Sequence, residues 1–116
     1  MPSERSYLEF LLDQLSGLRG VTYRPMMGEF LLYFSGKLFG GVYDNRLLVK
    51  PTAAARRLMP AAPRELPYEG AKPMLLVEEV DDRLFLAELV SAIAAELPEP
   101  NPQKSLQNGK PQSNKK

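Results

Sequence analysis

The side chains of this sequence with the greatest capacity for chemistry are carboxylates: Glu78, Glu79, Asp81 and Asp82 fall within one short stretch. Paired carboxylates can perform acid–base work or hold a hard cation. Their spacing matches no calcium loop, and they lie where a strand gives way to a helix, where acids complement the helix dipole. The sequence has no His and no Cys. That excludes disulfides, zinc-finger and iron–sulfur ligation, and Cys or Ser–His nucleophilic catalysis. No catalytic, cofactor or metal site is therefore expected. Arg24 stands before Pro25, Met26 and Met27. It could recognise an anion or a partner carboxylate, with the two methionines as adaptable contacts. A solvated arginine and core-filling methionines are the plainer readings. Gly40-Gly41 neither follows a strand nor opens a helix, so it suits a bulge or a close backbone approach better than a phosphate cradle.

Charge is divided unevenly. The 116 residues carry a net +1, but residues 1–97 hold 13 acidic against 11 basic side chains, while residues 98–116 hold four lysines and one glutamate. A body that is not basic argues against direct nucleic-acid binding. Lys37–Tyr43, KLFGGVY, is partly similar to a strand signature of RNA-recognition motifs. It lacks that signature's Gly at the second position and aromatics at the fifth and eighth, and the order of elements differs. The opening residues form no secretory signal and no apolar run reaches membrane-spanning length. A cytoplasmic protein without membrane contact is expected. A hydrophobic fraction of 44% and a charged fraction of 25% suit one globular domain with one modest core.

The elements that must position these residues are short. Ser3 is placed to cap a first helix over about 4–16, with Tyr7, Leu8, Leu11, Leu12 and Leu15 on one face. Val21–Arg24 reads as an edge strand ending at Pro25. Ser35-Gly36 and Asp44-Asn45, each between apolar runs, suit two-residue hairpin turns, so Arg24–Lys50 reads as a meander. Thr52 or Pro51 starts a short helix that ends at Pro60, and prolines 60, 63, 67 and 73 imply a wrapping loop. Met74–Val80 reads as a further strand. Asp81 or Asp82 caps a last helix over 83–97, with Leu86, Leu89, Val90, Ile93, Ala94 and Leu97 as its buried stripe. The domain is thus residues 1–97, and 98–116 are expected to be a disordered basic tail.

The turns imply a register in which Phe34 faces Lys37, Leu32 faces Phe39 and Tyr43 faces Arg46. Alternation puts Leu31, Tyr33, Leu38, Gly40, Val42, Leu47 and Val49 on one face, read as the one packed on helices only because its run is the more apolar, since the residues do not say which face the helices cover. The other face carries Phe30, Leu32, Phe34, Phe39, Gly41, Tyr43 and Leu48, ringed by Lys37, Arg46 and Lys50. An apolar second face is either covered by a further element or forms a homodimer surface.

Arg24-Pro-Met-Met-Gly28, Tyr33-Phe-Ser-Gly-Lys37, Asp44-Asn-Arg-Leu47, Val49-Lys50 and Lys72-Pro-Met74 together resemble the N-terminal domain of the TfoX/Sxy family over most of residues 4–97. Met27 and Gly28-Glu29 stand where that family usually has an aromatic and a double glycine. The resemblance implies an α+β domain with a two-layer, mostly antiparallel sheet of about five strands on N- and C-terminal helices, similar to secretion-chaperone folds. It also implies a competence-type regulator that acts with DNA-binding transcription factors rather than by catalysis. Longer members carry a second, C-terminal domain, so a stand-alone N-terminal domain is expected here. The expectation is a non-enzymatic interaction module, a homodimer with a possible transcription-regulatory partner. Its candidate surface is Arg24, Met26, Met27, Phe30, Phe39, Tyr43 and Lys37. The alternatives are a small-ligand site between the sheet and loop 60–73, or weak nucleic-acid binding on the sheet.

Overall fold

Three two-residue turns with left-handed backbone organise the sheet. The computed structural model describes residues 2–99. Met27 and Gly28 (φ 53° and 87°), Ser35 and Gly36 (53° and 79°), and Asp44 and Asn45 (55° and 55°) each supply two positive-φ positions. Such turns twist in the sense of the strands they join. They link β1 (Val21–Met26), β2 (Glu29–Phe34), β3 (Lys37–Val42) and β4 (Leu47–Val49) into an antiparallel meander. The expected turns at Ser35-Gly36 and Asp44-Asn45 are present, and Tyr43 and Arg46 exchange backbone hydrogen bonds of 2.9 and 3.0 Å. β1 is an edge strand, as expected, although it runs through Pro25 into a third hairpin.

Beyond the meander, β5 (Arg64–Glu65) and β6 (Met74–Val77) extend the sheet to six strands in the order β1-β2-β3-β4-β6-β5. β5 lies inside the proline-rich segment that reads as loop, because two residues between prolines offer no alternation to detect.

The register of β2 on β3 corrects the expected faces. Phe34 opposes Lys37 and Tyr33 opposes Leu38, but Leu32 opposes Gly40 instead of Phe39. Phe39 is the extra residue of a β-bulge, which moves the following side chains to the opposite face relative to β2. Phe30, Leu32 and Phe39 therefore join Val42, Leu47 and Val49 in the helix-covered core. Leu31, Tyr33 and Leu38, expected beneath the helices, share the outer face with Gly41, Tyr43 and Leu48. Gly40 permits the irregularity. A Cβ there would lie 2.3 Å from the Leu48 carbonyl oxygen and 2.9 Å from the Val49 Cα.

Helix α1 (Arg5–Gln14) buries Leu8 and Leu11, with Leu15 just beyond it. Ser3 is not its cap: Glu4 takes that position without a side-chain bond. The Ser3 hydroxyl instead donates to Glu29 Oε1 (2.5 Å) and accepts from the Asn45 backbone (3.0 Å), while Asn45 Oδ1 accepts from the Glu4 amide (2.9 Å). The helix entry is thereby tied to two hairpin turns. Helix α2 (Ala53–Leu58) is capped by Thr52, whose hydroxyl accepts from the Ala55 amide at 3.1 Å. Glu96 accepts from the Ala54 amide at 3.1 Å, an anion at the positive end of the helix. Helix α3 (Arg83–Ala95) starts at Asp82, which accepts from the Phe85 amide at 3.0 Å, and buries Leu86, Leu89, Val90, Ile93 and Ala94. Arg83 pairs with Asp13 at 2.8 Å and Gln14 donates to the Val80 carbonyl at 2.9 Å, joining α1 to α3. None of the described helices is long and apolar enough to cross a membrane. From residue 100 onward the expected basic tail lies outside the described residues.

Gly40→Ala forces a methyl group into backbone atoms of β4. It is expected to cost about 3 kcal/mol or more in urea unfolding, and a loss below about 1 kcal/mol would show that the bulge tolerates a side chain.

Candidate functional site

The bulge leaves an apolar outer face that the helices do not cover. Residues 66–73 fold against part of it and form, with the sheet, a solvent-open cavity of about 650 Å³. Leu38, Tyr43 and Met74 line it on the sheet side, Tyr68 on the loop side, and Lys50, Lys72, Pro51 and Thr52 also border it. No acidic side chain lines it. The cavity lies where the sequence allowed a ligand pocket, between the sheet and loop 60–73. Lys50 is half-buried and Lys72 exposed. Among the described residues, the ion pairs are formed by Arg5, Lys37, Arg46 and Arg83, and by neither cavity lysine.

One guanidinium holds the start of the loop. Arg46 donates to Glu65 Oε1 (2.8 Å), to the Leu66 carbonyl (3.4 Å) and, through Nε, to the Tyr43 carbonyl (3.1 Å). The planar fork of arginine suits such a clamp, where lysine would serve one partner at a time. Tyr43 lies over Gly41, at which a Cβ would come within 2.7 Å of the ring. Burial pushes the Tyr43 hydroxyl above the ordinary phenol range, and Tyr68, Glu29 and Tyr33 add to the shift.

The seven sequence candidates separate into distinct places. Arg24, Met26 and Met27 stay together on the β1–β2 hairpin, with Arg24 exposed, Met26 half-buried and Met27 96% exposed. Phe30 and Phe39, at 8% and 0% exposure, belong to the core. The bulge carries them under the helices, so they form no surface. Tyr43 is on the outer face but only 5% exposed. Lys37 reaches the far end of α3, where its ammonium donates to the Ala94 carbonyl (3.1 Å) and pairs with Glu99 (3.5 Å). A cation there complements the negative helix end. Of the acidic cluster, Asp82 caps α3, and Glu78, Glu79 and Asp81 are exposed. Among the described residues, no group of three or more His, Cys, Asp or Glu is placed to hold a metal ion. Sequence reasoning did not single out Lys50, Lys72, Tyr68 or Arg46 as site residues. Their signal was present for three of them, since Arg46, Lys50 and Lys72 lie in motifs that carry the family resemblance.

Arg46→Ala removes one charge-assisted and two carbonyl hydrogen bonds at a half-buried position. It is expected to lower stability by about 1–2 kcal/mol and to speed amide exchange across residues 66–73. Unchanged exchange there would mean that apolar contacts alone hold the loop. A phenol raised above its unfolded value contributes full stability below about pH 10 and loses it as pH rises through the folded pKa. Melting temperature should therefore fall on the alkaline side, and Tyr43→Phe should remove part of that fall. Identical alkaline profiles would rule out Tyr43 as a contributor.

No solved structure matches this chain. An uncharacterized 12.7 kDa protein in the trpE 5′ region of Spirochaeta aurantia is 35% identical over 106 residues, covering 90% of this chain and 92% of that protein. A sequence model of the TfoX N-terminal domain matches residues 13–91, from the end of α1 into α3, and so takes in every strand and the cavity. The chain belongs to the TfoX N-terminal domain family.

Proposed function

We propose that this chain is a non-enzymatic regulatory module of the cytoplasm that works through protein–protein contacts in competence-type transcriptional control. Its contact surface in this reading is the β1–β2 hairpin. The observation that carries the reading is Met27, which is 96% exposed with φ 53°. Left-handed backbone is costly for residues other than Gly, Asn and Asp. A large apolar side chain held fully in water at such a position contributes little to the monomer. Contact with another surface gives it a role, and strained residues concentrate at sites of that kind.

The surroundings support the same reading. Arg24 is exposed on the same hairpin and opposes Leu31, a half-buried outer-face residue. The hairpin thus presents apolar groups beside one guanidinium, a composition typical of contact centres. β1 is an edge strand, and its Val21–Arg24 part, before Pro25 removes a donor, can pair with a second copy about a two-fold axis, the simplest closed assembly. The excess of acidic over basic side chains in residues 1–97 favours a protein partner over nucleic acid.

Met27→Asn gives the turn the Asn-Gly pair that it prefers. The substitution is expected to raise monomer stability by up to about 1 kcal/mol while weakening association. Size-exclusion chromatography with light scattering should show a wild-type dimer and a shift of the variant toward monomer. A wild type that remains monomeric at every concentration would remove the self-contact. A dimer untouched by Met27→Asn would place its interface elsewhere.

A further inference from the structure

We infer that the cavity between the outer sheet face and residues 66–73 binds a small amphiphilic anion, an apolar body bearing a carboxylate-type group that pairs with Lys50 and Lys72. The site is distinct from the hairpin, so the two readings stand or fall separately.

Size comes first. A volume of about 650 Å³ lies within the roughly 300–1,000 Å³ of small-molecule pockets. Charge is the second argument. Two cations and no anion line the cavity, in a body whose residues 1–97 carry more acid than base. Neither lysine has an ion-pair partner among the described residues. An anion seated against the apolar lining could pair with both lysines, and the pairing strengthens as water is excluded. A third feature is the phenol of Tyr43, which lines the cavity and can donate to a ligand oxygen. Leu38, Met74 and the Tyr68 ring offer the apolar contacts for the body of the ligand. Arg46 holds the loop that closes this side, so it is a positioning residue for the site.

The test uses the full chain and three probes of equal tail length: decanoate, decanol and decyltrimethylammonium, each below its micellar concentration. Decanoate is expected to raise the melting temperature in a dose-dependent manner, more than decanol, with the cation giving no rise. Backbone NMR shifts on adding decanoate should centre on residues 38, 43, 50 and 66–74. The double variant Lys50→Met with Lys72→Met keeps the side-chain bulk and removes both charges. It should weaken decanoate by about tenfold or more and leave decanol unchanged. Equal binding of decanol and decanoate, shifts confined to the hairpin or to other surfaces, full decanoate affinity in the double variant, or absence of decanoate binding would each overturn the inference. Loss of decanoate binding together with an intact hairpin dimer would leave the regulatory reading untouched.

Discussion

The close approach of Gly40 to the backbone of β4 is the constraint on which the rest of the molecule depends. With a hydrogen where every other residue carries carbon, β3 can sit against Leu48 and Val49 and absorb Phe39 as an extra residue. That irregularity brings Phe30, Leu32 and Phe39 to the same side as Leu47 and Val49, and so assembles a single core beneath the helices. An unbulged pairing would divide these side chains between two faces and leave neither dense enough to bury. The cost of a bulge is a locally broken ladder. Here it is offset by a continuous apolar layer, which is worth far more than one lost backbone bond.

The two sides of the sheet consequently face different surroundings. The inner side is sealed by α1 and α3, and the helix ends are fastened to neighbouring elements through Lys37, Arg83 and Gln14. The outer side is covered only over the β3–β4 end, by a loop stiffened with prolines and pinned by Arg46. Rigidity is concentrated on one layer and access on the other.

Much of this arrangement was legible in the residues, and what was not has a physical cause. Ser35-Gly36 and Asp44-Asn45 announce their turns because few residue types accept positive φ. Thr52 and Asp82 announce helix starts because a short oxygen side chain there meets unpaired amides. The β2–β3 register was not readable, since the bulge is decided by a contact between Gly40 and a strand that follows it by eight positions. The faces could not be assigned by alternation either. Leu31, Tyr33 and Leu38 are as apolar as Phe30, Leu32 and Phe34, so period two carried no contrast. The same slip makes Phe30 and Phe39 read as surface residues, whereas Arg24, Met26 and Met27 stand out by residue type and lie at the surface, Met26 half-buried. Lys50 and Lys72 border one cavity only because the loop folds back, and no local spacing rule links them. Ser3 illustrates an intermediate case: the hydroxyl does satisfy a backbone amide near the helix start, but that of Asn45.

The position of α3 in the chain has a consequence during synthesis. The meander pairs segments that lie next to one another in sequence and can close soon after they leave the ribosome. Its inner side, with Phe39, Leu47 and Val49, then has only α1 available to cover it until residues 83–95 follow. A nascent chain halted between Lys50 and Arg83 would present a half-built sheet with its oily side half covered, the kind of species that chaperones capture. The period of greatest exposure for this protein is therefore set by translation rather than by the stability of the finished fold.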